Sequence, residues 1–109
     1  MNRSSAYSLA LSAYLLFSAS AQAEEYVITL KGNQFSPKEL IIPSGRKIKV
    51  TVKNLDATPA EFESSDLNRE KVVAANSEVI VFIGPLDAGR YGYFDDFHRD
   101  TTTGMIIAK

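Results

Sequence analysis

The chain has 109 residues, of which 45% are hydrophobic and 23% charged, with 12 Lys/Arg against 13 Asp/Glu, one histidine and no cysteine. The near-neutral balance, without a clustered basic excess, excludes an ordinary nucleic-acid-binding surface. The lack of thiols excludes both a disulfide staple and a thiolate-ligated metal.

The N-terminus reads as an export signal. Met1-Asn2-Arg3 is a short basic start, and Ala6 to Phe17 is an apolar run shorter than the roughly 20 residues a membrane span requires. Ala21-Gln22-Ala23 before Glu24 is a small-x-small cleavage site, so residues 1–23 are expected to be a signal peptide and residues 24–109 the mature domain. Cleavage would place that domain in the periplasm with no membrane span, carrying a formal charge of about −2 once Arg3 is gone. So short a chain holds one small domain, and its apolar core alone must stabilise it.

From Tyr26 onward the pattern has period two. Strands are expected over Tyr26 to Leu30, Glu39 to Ile42, Lys47 to Lys53, Ala60 to Ser64, Lys71 to Ala74, Glu78 to Ile83, Arg90 to Phe94 and Met105 to Ala108. Pro43-Ser44-Gly45, Asn54-Leu55-Asp56, Ala75-Asn76-Ser77 and Gly84 to Gly89 supply turns. Ser65 to Glu70 is the one stretch suited to a helical turn, capped by Ser65 or Asp66. Lys47, Lys49 and Lys53 alternate and therefore line the outer face of a strand.

Short alternating strands between Gly, Pro and Asn turns predict an all-β fold, a small antiparallel Greek-key β-sandwich. Its expected core is Ile28, Leu30, Phe35, Leu40, Ile48, Val50, Val52, Phe62, Val79, Val81, Ile83, Tyr91, Tyr93 and Ile106. Periodicity goes no further than architecture, which many unrelated functions share.

Motif resemblance adds more. Asn33-x-Phe35-x-Pro37-x5-Pro43-x-Gly45, Val52-x-Asn54-x-Asp56, Gly84-Pro85-Leu86-x2-Gly89-x-Tyr91 and Phe94-x3-His98 together resemble the cupredoxin fold across the whole mature chain. Pro59 to Ser64, Glu70-Lys71-Val72-Val73 and Phe97-His98-x2-Thr101-x2-Gly104 resemble the EfeO-type cupredoxin-like domains of bacterial iron-uptake systems. That resemblance implies an exported metal-binding protein working with an inner-membrane high-affinity iron permease or other periplasmic uptake components. The implied cofactor is an iron or copper ion, and the implied chemistry extends to ferroxidase-like oxidation of Fe(II).

The departures from blue-copper proteins matter as much. In those proteins the residue three before the histidine is cysteine, and here it is Asp95. A histidine ligand typically follows Asn-x-Asp-x2-Pro, whereas Pro59 is followed by Ala60 and Glu61; Thr102 stands at the usual methionine position. Only His98 is carried over, so no blue-copper site is expected.

The replacements are themselves metal-ligating types. Glu61 and Glu63 share one strand face while Phe62 takes the other, and Asp95 and Asp96 lie beside His98. His98, Glu61, Asp95, Glu63 and Asp96 are thus the candidate metal ligands, suited to Fe(II), Fe(III), Mn(II) or Cu(II) rather than Cu(I). Met105 is a weaker candidate, because a thioether favours soft metals. Each residue also has a plainer reading as a solvated strand charge or a surface hydrogen-bonding group. The competing function is a metal-free interaction module docking on a periplasmic or membrane partner. Ser64 or Ser65 with His98 and an aspartate would supply the types of a hydrolase triad, but no Gly-x-Ser-x-Gly elbow is present.

Overall fold

The structure, a computed structural model, describes residues 24–109; the signal peptide expected at 1–23 lies outside them. Among these residues nine strands form, most of them alternating in burial: β1 (Tyr26–Lys31), β2 (Gln34–Ser36), β3 (Glu39–Ile42), β4 (Ile48–Asn54), β5 (Ala60–Ser64), β6 (Arg69–Val73), β7 (Ser77–Ile83), β8 (Gly89–Asp95) and β9 (Thr103–Ala108). One 3-10 turn, Asp96–His98, joins β8 to the loop before β9.

The strands form two sheets, ordered β2-β1-β4-β7 and β3-β9-β8-β5-β6. The all-β sandwich is as the period-two pattern predicts, with one correction to the pairing. β1 pairs β4 in parallel, and β3 pairs β9 in parallel, so neither sheet is wholly antiparallel. These partners are distant in sequence, and local alternation carries no information about their relative direction.

The core lies between the sheets. Ile28, Leu30, Phe35, Leu40, Ile48, Val50, Val52, Phe62, Val81, Ile83, Tyr93 and Ile106 are buried as expected, joined by Ile42, Ala60, Leu67, Val73 and Ala108. Val79 and Tyr91 pack against this cluster but are only partly buried. Tyr93 occupies its centre, stacked 4.9 Å from Phe62 and edge-on 5.0 Å from Phe35.

One local expectation changes. No helix forms over Ser65 to Glu70: the Ser64 hydroxyl accepts from the Leu67 N–H at 3.0 Å, Asn68 takes a φ of 53°, and β6 starts at Arg69. A short Asn-bearing reversal therefore replaces a helical turn, since Asn tolerates the left-handed region. Among the described residues no helix is long and apolar enough to cross a membrane. Lys49 and Lys53 do point outward from β4, opposite Phe82 and Glu78 on β7.

Candidate metal centre

Strand β5 sets the geometry. Ala60, Phe62 and Ser64 point into the sandwich, which turns Glu61 and Glu63 to the outer face of the five-stranded sheet. Register then brings a third carboxylate beside them, because Glu63 lies opposite Glu70 on β6. One carboxylate oxygen from each of Glu61, Glu63 and Glu70 falls within 4.8 Å of the others. Like charges placed opposite on a sheet repel, so this arrangement destabilises the ion-free fold.

Asp96, on the 3-10 turn, completes the patch. Desolvation, followed by the charges of Glu70 and Asp96, raises the Glu61 carboxyl above its ordinary value; desolvation, then Asp96 and Glu70, does the same for Glu63. One oxygen of Glu63, Oε2, is shut off from solvent without a hydrogen-bond partner. A raised carboxyl binds its proton more tightly in the native state than in the unfolded chain. The patch therefore makes the fold less stable as pH rises from the ordinary 4.5 toward the raised values, and the penalty persists above them. Arg99 is the cation nearest to hand: its Nη2 lies 3.2 Å from Asp96 Oδ1, and its guanidinium sits over the Phe94 ring.

Asp95 and His98 form a separate group at the loop end of the sandwich. The Asp95 carboxylate is buried; Oδ1 accepts the Glu61 N–H at 2.9 Å and the Phe97 N–H at 3.0 Å, and Oδ2 lies 2.9 Å from His98 Nδ1. A cation on Asp95 would have to displace the imidazole or an amide. The surrounding loops are held by similar bonds. Asp56 accepts from Gly32 and Asn33 N–H groups, which hold its carboxyl below the ordinary range, with the Asn33 bond the larger cause. Buried Asn54 donates to the Thr58, Val73 and Ala74 carbonyls and accepts the Asp56 N–H, so the Asn54-x-Asp56 motif clamps the β4–β5 loop.

The structure thus gathers Glu61, Glu63 and Asp96 on one face and joins Asp95 to His98 beside it. Met105 stands apart, on β9 between Glu39 of β3 and Gly92 of β8. Ser64 donates to the Gly92 carbonyl from a buried position and takes no part in a triad with His98. Glu70 is the site residue that sequence reasoning missed. Its signal was the Glu70-Lys71-Val72-Val73 segment, but only the β5–β6 register shows that it faces Glu63.

Comparison with known proteins agrees with this architecture. A protein of Rickettsia prowazekii (strain Madrid E), itself named as uncharacterized, is 42% identical over 85 residues, spanning 78% of this chain and 68% of that one. The metal-binding domain of the Cu(I)-exporting P-type ATPase CopA of Streptococcus pneumoniae D39 superposes with a TM-score of 0.70 at 13% identity, covering 82% of this chain and 92% of that one. Auracyanin A, a blue copper protein of Chloroflexus aurantiacus, gives 0.69 at 16% identity, covering 79% and 98%. At such identities these two structures speak for the fold alone. The family model for the cupredoxin-like domain matches residues 5–108, and with the sandwich described above the chain belongs to the cupredoxin-like domain family.

Proposed function

We propose that this domain is an exported metal-binding protein that takes a hard or borderline cation on the outer acidic patch of Glu61, Glu63, Glu70 and Asp96, with His98 as the nitrogen donor nearby. The observation that carries the reading is the convergence of three glutamate oxygens within 4.8 Å, one glutamate having a buried oxygen without a partner. Such a donor set fits iron or Mn(II), and Cu(II) in second place. A blue-copper centre does not fit, because the chain has no thiolate and Asp95 is buried with both oxygens engaged. Cu(II) added to the protein is accordingly expected to give no intense thiolate-to-copper absorption in the visible spectrum; a blue solution would contradict this.

The resemblance to EfeO-type domains supports iron as the cargo and a high-affinity iron permease of the inner membrane as the partner. Anionic oxygens favour Fe(III) over Fe(II), so the patch would lower the potential of bound iron and favour oxidation by an external acceptor such as dioxygen.

Titration of the protein with Fe(II) under anaerobic conditions, and separately with Cu(II), tests the reading. Glu61→Ala, Glu63→Gln and His98→Ala are each expected to weaken binding about tenfold or more. Protons compete with the cation for the same oxygens. Because Glu61 and Glu63 are raised, affinity is expected to fall as pH drops while still above the ordinary 4.5. Titration curves unchanged in both glutamate variants would favour the metal-free interaction module.

A further inference from the structure

The contacts of Asp95 assign it a role other than ligation. A carboxylate offers only acceptors, so the imidazole nitrogen 2.9 Å from Oδ2 must be the one that carries hydrogen. In the neutral ring that nitrogen is Nδ1, which leaves the lone pair on Nε2. Two amide donors, from Glu61 and Phe97, fix Oδ1 and prevent the carboxylate from turning. The backbone of His98 is fixed as well. Its carbonyl accepts from the Thr101 N–H at 3.2 Å and the Thr102 N–H at 3.0 Å, while the buried Thr102 hydroxyl donates to the Asn33 carbonyl at 2.7 Å. The ring is nonetheless 35% exposed, against 1% for the Asp95 side chain. A held backbone, a held Nδ1 and an exposed ring are the features of a preorganised Nε2 donor.

We propose that Asp95 is the positioning residue of His98: it locks the Nδ1–H tautomer and presents Nε2 as the imidazole atom that takes a divalent cation. The tautomer stands on the hydrogen bonds alone, whereas the Nε2 contact rests on the cation-binding reading above. Asp95 then contributes to metal binding without touching the metal, which explains an acidic residue that is wholly buried beside a half-buried acidic patch. The same carboxylate accepts the Glu61 N–H, so one side chain fixes both the strand bearing Glu61 and the turn bearing Asp96 and His98.

Long-range 1H–15N correlation spectra of the 15N-labelled protein, recorded where the imidazole is neutral, test the proposal. The expected spectrum shows a protonated Nδ1 and an unprotonated Nε2. Titration with Zn(II) alone, a diamagnetic probe, should move the Nε2 resonance and leave the proton on Nδ1. In Asp95→Asn, whose fold is checked by its amide spectrum, the ring should pass to a mixture of tautomers. Glu39→Gln, on the outer strand β3, serves as a control and should leave the ring signals unchanged. An Nε2–H tautomer in the native protein would overturn the proposal, as would an unchanged tautomer in folded Asp95→Asn. A Zn(II) titration that leaves Nε2 in place overturns its role as donor. Side-chain carboxyl shifts of Glu61 and Glu63 in the same titration then tell whether the acidic patch still binds the ion.

Discussion

Asp95→Ala is expected to cost about 3 kcal/mol of folding stability, since amides that it accepts from lose their partner in a part-buried setting. The wild-type carboxylate has no exposure and joins β5, the 3-10 turn and the imidazole through three contacts. Alanine removes all three at once and leaves a void that water can fill only in part. For a domain of this size the loss corresponds to a fall in Tm of roughly 12–24 °C. Thermal unfolding followed by circular dichroism measures it. A fall of only a few degrees would mean that the loop holds its shape without Asp95.

Gly104→Ala is expected to be comparably damaging, for a steric reason. A Cβ at residue 104 would overlap Tyr93 Cζ, its hydroxyl oxygen and Cε2. Escape by the ring is blocked, because Tyr93 is 2% exposed and wedged between Phe35 and Phe62. Overpacking of this kind costs about 3 kcal/mol when neither partner can yield. Urea denaturation should show the midpoint falling with little change in slope. A midpoint within error of wild type would show that β9 shifts to make room. The Tyr93 hydroxyl is buried without a hydrogen-bond partner, and burial raises its phenol well above the ordinary range.

Much of the fold was legible because alternation and burial coincide. Phe62 between Glu61 and Glu63 is the clearest case: one apolar residue flanked by two acids gives the facing of the strand without any partner being known. β2 escaped because Gln34–Ser36 has a single buried residue, Phe35, and three residues are too few to display a period. The expected strand over Lys71 to Ala74 starts two residues late and ends one residue late relative to β6, because Arg69, Glu70, Lys71 and Val72 are all exposed at the edge of a sheet, where burial does not impose alternation.

The candidate site was legible in residue type rather than in grouping. Asp95 and His98, three residues apart, meet through a single turn, a relation that local sequence can carry. Glu70 meets Glu63 only through the β5–β6 register, and that register depends on the Asn68 reversal. The separation of Asp95 from the glutamates has the same origin. Asp95 is the last residue of β8 and points inward, while Glu61 and Glu63 point outward from the neighbouring strand.

The central claim is that the acidic face of β5 and β6, with Asp96, holds a cation, and paramagnetic mapping tests it most directly. Substoichiometric Mn(II) added to the 15N-labelled protein should broaden the amide resonances of Glu61, Glu63, Glu70 and Asp96 first, and those of β3 and the β3–β4 turn last. Broadening that begins elsewhere, or that is uniform and weak across the domain, would contradict the account.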